Sequence, residues 1–379
     1  MSQGATRNPP QRQIVVWQAL ILCTLFQLGA ACTGCGLGDG SLTSEPYAPL
    51  VPSVTASTQV IVPTPSGQPA VTLEPVSPVS KQSWRFGFSS STPIDPDYWA
   101  SALGATWYLD WTVAERPLSE EIEHWQMVRV SEDGFKPDLD TVEAVARSFP
   151  GSTWVIGNEP DVIWQDNTTP ETYARSYYEL FTAIKRVDPI SRIAVAGVSQ
   201  GTPLRLAYLD RVLETYEEFY GEPMPVDVWT LHGYVLREER GSWGVDIPPG
   251  LNDDTGMLYE VSDHGRLDLF EAQIRAFRTW MEARGYRDRP LILTEFGILM
   301  PNDYGFPPDE VVDYMLATFD LLLTMRDDET GLSLDENRLV QRWAWFSLYD
   351  EVYPTSNLAD LGEDRLTALG QAYRAYIQD

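Results

Sequence analysis

Two short stretches of sequence decide the fold: Trp154-Val155-Ile156-Gly157-Asn158-Glu159-Pro160-Asp161 and Leu291-Ile292-Leu293-Thr294-Glu295-Phe296-Gly297. Each is an apolar run that ends on a glutamate and passes directly into turn-forming residues. This pattern is typical of a parallel β-barrel, whose strands end at a common rim and present reactive side chains there. We therefore expect Glu159 and Glu295 to lie at the mouth of such a barrel.

The chain beyond Ser83 alternates strand-like and helix-like segments, which indicates a parallel sheet rather than a sandwich. Helices are expected where apolar residues recur with the 3.6-residue period after a cap or a proline. Eight such units predict an α/β protein with a (β/α)8 TIM barrel. The predicted strands are 84–89, 106–111, 126–130, 153–157, 192–196, 226–232, 291–295 and 341–346. The predicted helices are a short one after Trp111 and those near 138–149, 169–187, 203–220, 267–284, 307–323 and 366–377.

The 379 residues, 43% hydrophobic with 13 tryptophans, are enough for one barrel of about 250 residues plus extensions. We assign residues 83–379 to the barrel. Residues 40–82 are rich in Pro, Ser and Thr and cannot pack a core, so they are predicted to be a disordered, extended linker. Residues 1–39 are assigned to a signal peptide or to a membrane or lipoprotein anchor.

The amino-terminal segment has the pattern of a targeting sequence. Arg7 and Arg12 precede a mostly apolar stretch over 14–31, whose length fits either an export signal or a membrane-spanning helix. Residues 28–32, Leu-Gly-Ala-Ala-Cys, resemble a bacterial lipoprotein processing site, although the usual leucine lies one position closer to the cysteine. Cleavage, lipidation and retention as an anchor all remain open. Each predicts an extracytoplasmic domain, secreted or tethered to a membrane.

Charge and cysteine content exclude several classes of function. The formal net charge is -28, and lysine occurs only at 81, 136 and 185, so a nucleic-acid backbone would be repelled. Cys23, Cys32 and Cys35 all lie near the amino terminus, so no disulfide can form within the barrel. No His or Cys cluster has metal-ligand spacing, and we expect neither a metal nor another cofactor.

The pair of strand-end glutamates indicates glycosidase chemistry. Cleavage of a glycosidic bond with retention needs one carboxyl group to protonate the leaving oxygen and another to attack the anomeric carbon, roughly 5 Å away. Glu159 follows the predicted fourth strand and Glu295 the predicted seventh. The chain between them is long enough for three βα units with an insertion after the sixth strand.

At this point the sequence resembles glycoside hydrolase clan A, and within it family 128, the endo-β-1,3-glucanase type. The resemblance covers residues from about Trp84 onward. It departs from the family at Tyr108-Leu109-Asp110-Trp111, where the family tends to have Tyr-Asn-Trp, and at His232-Gly233-Tyr234, where it has His-Trp-Tyr. The motifs that carry it are Trp111, Asn158-Glu159-Pro160-Asp161, His232 with Tyr234, Thr294-Glu295-Phe296, and Trp345-Phe346.

The resemblance implies a role for each of these residues. Glu159 would be the acid/base and Glu295 the nucleophile of a retaining hydrolase of β-glucan, for which endo action is expected. Asn158 would bind the sugar 2-hydroxyl, Tyr234 would hold the ionised nucleophile, and Trp345 would form the floor of the central subsite. The other expected substrate-binding residues are Asp110, Trp111, His232 and Trp243, with Trp164 as a further aromatic residue at the cleft.

Two alternatives to an enzyme stay open at this level. A non-catalytic carbohydrate-binding barrel, displayed for adhesion or sensing, would need the aromatic residues but neither glutamate. A structural wall-associated protein would depend on the anchor and the linker. For the favoured interpretation we expect a polysaccharide or oligosaccharide partner, contact with a membrane only through the amino-terminal anchor, no nucleic acid, and a monomer.

Overall fold

The structure, a computed structural model, describes residues 82–114 and 122–378. The predicted anchor over 1–39, and all of the predicted linker except Gln82, lie outside these ranges. All eight predicted strands are present. The strands are β1 Phe86–Ser89, β2 Trp107–Leu109, β3 Glu123–His124, β4 Gln126–Ser131, β5 Gly134–Lys136, β6 Thr153–Ile156, β7 Arg192–Val195, β8 Trp229–His232, β9 Leu291–Phe296, β10 Arg342–Trp345, β11 Ala359–Asp360 and β12 Arg365–Leu366.

The strands close into a barrel. One sheet has the order β3-β2-β1-β10-β9-β8, and a second has the order β5-β4-β6-β7. The chain passes from β3 to β4 through Trp125, so these two segments form one barrel strand that pairs with β2 on one side and β6 on the other. On the far side, isolated parallel bridges Ala194–Val228 and Val198–Leu231 join β7 to β8. The result is a ring of eight parallel strands, which confirms the predicted barrel.

The helices lie outside this ring. They are α1 Pro96–Leu103, α2 Leu139–Ser148, α3 Pro170–Val187, α4 Pro203–Tyr220, α5 Leu267–Ala283, α6 Pro308–Thr324 and α7 Ala368–Gln378. The six predicted with boundaries are confirmed, and α1 is an addition. The short helix expected after Trp111 is absent from residues 111–114 and 122, and the rest of that connection, 115–121, is not described. None of the helices described is long and apolar enough to cross a lipid bilayer.

Local sequence explains where the helices begin. In α3, the Thr169 hydroxyl accepts a hydrogen bond from the Thr172 amide, and Pro170 occupies the first turn. In α4, Thr202 caps in the same way before Pro203, and Gly221 ends the helix with a left-handed φ of 73°. A side-chain cap satisfies an amide that has no partner within the helix, and glycine adopts a left-handed end without steric cost.

Two layers of core follow from the alternation of side chains along each strand. Inside the barrel lie Trp107, Leu109, Trp125, Met127, Val155, Ala194, Val228, Ile292 and Ala344. In β10, Ala344 therefore points inward, and its neighbours Trp343 and Trp345 point outward to the layer between strands and helices. Beyond the last inward-facing residue of each strand, the side chains form the rim at the carboxyl end of the barrel.

Candidate active site

A cleft of about 530 Å³ opens at the carboxyl ends of the barrel strands. Each lining residue comes from a strand end or from the loop that follows, because parallel strands all deliver their carboxyl ends to the same rim. The lining includes six of the nine residues expected from sequence. They are Asp110 and Trp111 after β2, Asn158 and Glu159 after β6, Tyr234 after β8, and Glu295 in β9.

The two strand-end glutamates converge, as expected. One side-chain oxygen from Glu159, one from Glu295 and one ring nitrogen of His232 all lie within 4.8 Å of one another. Both glutamates are buried, with 8% and 5% of their surface exposed. Residues far apart in the chain thus bring two acidic groups to one point of the cleft.

Glu295 is held by two hydrogen-bond donors. The Trp111 indole Nε1 donates to Oε1 at 2.9 Å, and the Tyr234 hydroxyl donates to Oε2 at 3.2 Å. The same indole N–H lies 3.2 Å from the Asn158 side-chain oxygen. Trp111 has a left-handed φ of 59°, which turns the chain after β2 toward the cleft. Each carboxylate oxygen therefore has a fixed donor, which orients Glu295.

His232 lies beneath the two carboxylates. It is fully buried, with its ring Nδ1 2.9 Å from Glu159 Oε1 and its Nε2 3.6 Å from Glu295 Oε1. The ring fits because Gly197 lies beside it: a Cβ atom at position 197 would come within 2.5 Å of His232 Cδ2. The ring is covered and is not among the residues that line the cleft, so substrate binding by His232 stays a prediction. The ring contacts the two glutamates.

The buried setting changes the protonation of this group of residues. Burial raises the pKa of Glu295 to about 7, and the charge of Glu159 adds to this, while His232, Trp111 and Tyr234 oppose it. Burial lowers the pKa of His232, but the negative charges of Glu295 and Glu159 outweigh it, so the net shift is upward. The pKa values of Glu295 and His232 are therefore both raised, and the protonation of each affects the other.

Among the described residues, these three form the only group whose ligand atoms lie close enough together to hold a metal ion. One of the contacts is already a hydrogen bond between His232 Nδ1 and Glu159, which accounts for the short distance between those two. The raised pKa of His232 favours the charged imidazole, which opposes the negative charge of the carboxylates beside it.

Asp110 lies on the wall beside Trp111. Its Oδ1 accepts from the Thr112 amide at 3.2 Å and the Thr112 hydroxyl at 2.8 Å, and lies 2.8 Å from His124 Nε2. Burial raises the pKa of Asp110, but the bonds from His124 and Thr112 prevail and lower it. Asp110 is therefore an ionised acceptor, and His124 supports it from behind, a role that the sequence did not indicate.

Two tryptophans expected at the cleft are elsewhere. Trp345 is fully buried, with its indole N–H donating to the Ser356 carbonyl and its ring against Phe296. It does not line the cleft, because β10 directs it toward the helices. Phe346, one residue later, lines the cleft. Trp243 is half-buried and packs on the small apolar cluster behind the wall, while Gly244 and Val245 form the surface there.

Several lining residues were not predicted. Trp164 lines the cleft as expected, but Arg129 on β4 and Gln165 beside it were missed. So was the loop after β10 that contains Asp350 and Tyr353. Asp350 Oδ1 accepts from the amides of Val352 and Tyr353, both at 2.8 Å, which fixes that loop. A polar residue shortly after a predicted strand, such as Asp350 after β10, is the sequence signal from which this part of the cleft wall could have been predicted.

A buried ionic group joins the carboxyl-terminal rim of the barrel to the insertion over 235–262. The Arg205 guanidinium lies 3.2 Å from Asp161 and 3.0 Å from Glu238, and all three side chains are fully buried. Arg205 also donates to the backbone carbonyls of Asp161, Val245 and Asp246. The wall formed by the insertion is therefore fixed to the segment that follows Glu159.

No protein-family model matches the chain, and no curated protein matches it. Solved structures share its fold. A subgroup I endo-β-1,3-glucanase of glycoside hydrolase family 128 from Amycolatopsis mediterranei, in complex with laminaritriose, is 21% identical, with 77% of this chain and 99% of that chain covered and a TM-score of 0.51. A subgroup II enzyme from Pseudomonas viridiflava is 18% identical, covered to 77% and 97%, with a TM-score of 0.51.

A third structure is a subgroup III curdlan-specific exo-β-1,3-glucanase from Blastomyces gilchristii in complex with glucose. It is 19% identical, with 77% of this chain and 98% of that chain covered and a TM-score of 0.50. Fold and cleft together define a (β/α)8 protein with paired acidic residues at the carboxyl end of its barrel. The likeness to these structures confirms, at the level of the fold, the resemblance to family 128 that the motifs predicted.

Proposed function

We propose that the protein is a retaining glycoside hydrolase that cleaves β-glucan, with Glu159 as acid/base and Glu295 as nucleophile. The observation that carries the proposal is the approach of a Glu159 carboxylate oxygen to within 4.8 Å of one from Glu295. Retaining enzymes hold their two carboxyl groups roughly 5 Å apart, whereas inverting enzymes leave space for a water molecule between carboxyl groups about 6.5–9.5 Å apart.

The contacts of each glutamate support the division of roles. Glu295 accepts hydrogen bonds from Trp111 and Tyr234, and donors of this kind favour the ionised form that attacks the anomeric carbon. Glu159 would carry the proton, deliver it to the departing oxygen, and then take a proton from the water that hydrolyses the glycosyl-enzyme. His232 touches both carboxylates and would keep one proton available to the pair.

The substrate class rests on the cleft and on the neighbouring structures. Trp111, Trp164 and Phe346 offer apolar faces, and Asn158, Asp110 and Gln165 offer polar groups beside them. Sugar rings have both apolar faces and hydroxyl edges, so this combination suits a glycan. The neighbours are β-1,3-glucanases, one bound to laminaritriose, and a β-linked glucan is therefore the substrate class we propose.

Trapping with an activated 2-deoxy-2-fluoro β-laminaribioside tests both the activity and the nucleophile. We expect the wild-type protein to release reducing ends from laminarin and to carry one label on the peptide that contains Glu295. Glu295→Ala should abolish both results. The control is Glu310→Gln, an exposed residue at the start of α6, which should leave both unchanged.

A label on any other peptide would contradict the nucleophile assignment. No release of reducing ends by the wild-type protein from a panel of β-glucans would contradict the function.

In Glu159→Gln, we expect the rate on glucan to fall on the order of 10²- to 10⁴-fold, because proton donation contributes that much.

We also propose that the barrel acts outside the cytoplasm, tethered through residues 1–39, and as a monomer. Arg7, Arg12 and the apolar stretch over 14–31 support this location. Cell fractionation with and without Cys32→Ala tests it: release of the variant into the soluble fraction would indicate a lipid on Cys32, and a cytoplasmic wild-type protein would refute the proposal. Sedimentation velocity measures the oligomeric state.

A further inference from the structure

A buried carboxylate, Asp166, holds the turn that carries Glu159. Its Oδ2 accepts hydrogen bonds from the Asn158 amide at 2.7 Å and from the Val130 amide at 3.0 Å. The Asp166 amide in turn lies 3.4 Å from the Asn158 carbonyl. The amide and the carbonyl of Asn158 are thus both hydrogen-bonded to Asp166. The Asp166 carboxylate also joins this turn to the neighbouring strand β4.

The turn needs such support because its backbone is unusual. Gly157 has a φ of 90°, and Glu159 has a φ of 43°, a left-handed conformation that glycine adopts easily and glutamate does not. A non-glycine residue in this region costs on the order of 1–3 kcal/mol, which surrounding contacts must offset. The conformation places the Glu159 side chain in the cleft beside His232 and Glu295.

Arg129 balances the charge of Asp166. Its Nε donates to Asp166 Oδ1 at 2.6 Å, and the Asp166 side chain is only 2% exposed. Burying a lone carboxylate is expensive, and a paired cation together with backbone donors reduces the cost. Each Asp166 oxygen therefore has a set partner: Oδ1 has the cation, and Oδ2 has the two amides.

We propose that Asp166 is a positioning residue for the acid/base Glu159, acting through the backbone of Gly157–Glu159. This inference rests on the proposed function. Asp166 does not line the cleft, and the hydrogen bonds that hold Glu295 come from Trp111 and Tyr234, neither of which is bonded to Asp166 itself. Loss of the Asp166 carboxylate would therefore impair proton donation more than nucleophilic attack.

Two substrates that differ in their leaving group provide the test. Laminarihexaose releases a sugar alkoxide and needs a proton from Glu159, whereas 2,4-dinitrophenyl β-laminaritrioside releases a stable phenolate and needs little help. In Asp166→Asn, one oxygen is replaced by an NH2 group, so either the cation or the two amides lose their acceptor. We expect kcat/KM for laminarihexaose to fall on the order of 10²-fold, and that for the dinitrophenyl substrate to fall only a few-fold.

Asp188→Asn is the matched control. Asp188 is also buried and accepts a hydrogen bond from a backbone amide, that of Gly151 at 2.7 Å, but it lies before β7, at the opposite end of the barrel. The control should lower the thermal midpoint without changing the ratio of the two activities. All assays are run at least 10 °C below the midpoint of the weakest variant.

Equal loss on both substrates in Asp166→Asn, or no loss in either, would overturn the inference. If this variant fails to fold, Arg129→Gln replaces it: the cation is half-exposed, and its removal should give the same unequal loss to a smaller degree. Equal losses of the two activities in Arg129→Gln would also overturn the inference. A wild-type protein inactive on both substrates would instead refute the proposed function.

Discussion

At the scale of single residues, burial and the charge of His232 have the largest effects on the pKa of Glu295, followed by the charge of Glu159 and by the indole N–H of Trp111 and the hydroxyl of Tyr234. Burial alone favours the protonated carboxyl, and these two donors favour the carboxylate. A nucleophile must be ionised, so its pKa determines the acid side of the pH profile. Since the pKa of Glu295 is raised to about 7, the acid side of the profile should lie near neutral pH.

As the proposed nucleophile, Glu295 must be ionised to react, so we expect kcat/KM to fall tenfold per pH unit below about pH 7. Tyr234→Phe removes a donor that lowers the pKa of Glu295, so the acid limb should move to higher pH and the maximum rate should fall. Initial rates between pH 4 and 9 measure both effects. Tyr314→Phe, a buried tyrosine outside the cleft, is the control, and an acid limb that moves to lower pH in Tyr234→Phe would contradict this account.

At the scale of elements, Arg205 connects α4 to the loop after β6 and to the insertion after β8. We expect Arg205→Met to lower the free energy of unfolding by about 3–5 kcal/mol, because Asp161 and Glu238 would remain buried without a cation. The Michaelis constant for glucan should rise as well, since Val245 on the cleft wall would lose its anchor.

Arg211→Met is the matched control for that change. Arg211 lies in the same helix, and its partners Glu171 and Glu214 are exposed, so the loss should be within about 0.5 kcal/mol. Urea denaturation of both variants measures the difference. Similar midpoints for Arg205→Met and the wild type would show that the buried ionic group contributes little to stability.

The strands and most helices could be predicted because each is encoded locally, by an apolar run that ends in turn residues or by a capped 3.6-residue period. The position of the Trp345 side chain could not be predicted from the sequence. A shift of one residue along β10 decides whether a side chain faces the helices or the rim. Asp166 was missed for another reason. Its partners Arg129 and Val130 lie on a different strand, and only the closed barrel brings them together.

At the scale of the whole molecule, the described part of the chain forms a closed unit that begins with β1. This strand pairs with β2 and β10, the Arg85 guanidinium holds Asp335, and the Tyr373 hydroxyl of α7 donates to the Gly87 carbonyl. Contacts of this kind join the start of the barrel to its end. All of these contacts are made between residues that follow Gln82.

We expect a chain that starts at Gln82 to fold with a thermal midpoint within about 2 °C of the full chain, since no described contact is lost. A chain that starts at Thr92 should not fold, because it lacks β1 and leaves β2 and β10 unpaired. Calorimetry and circular dichroism compare the two. A large loss of stability in the longer version would show that the preceding residues contribute to the barrel.

The junction between β7 and β8 has a consequence for how the molecule would lose activity on heating. Isolated bridges join these strands, while the other neighbours in the ring are paired by ladders, two of which have a register shift. The first amides to exchange with deuterium should then be those along this junction, where Gly197 lies against His232. Heat inactivation would precede the loss of helical signal, because the imidazole is released while the remaining seven junctions of the barrel are still intact.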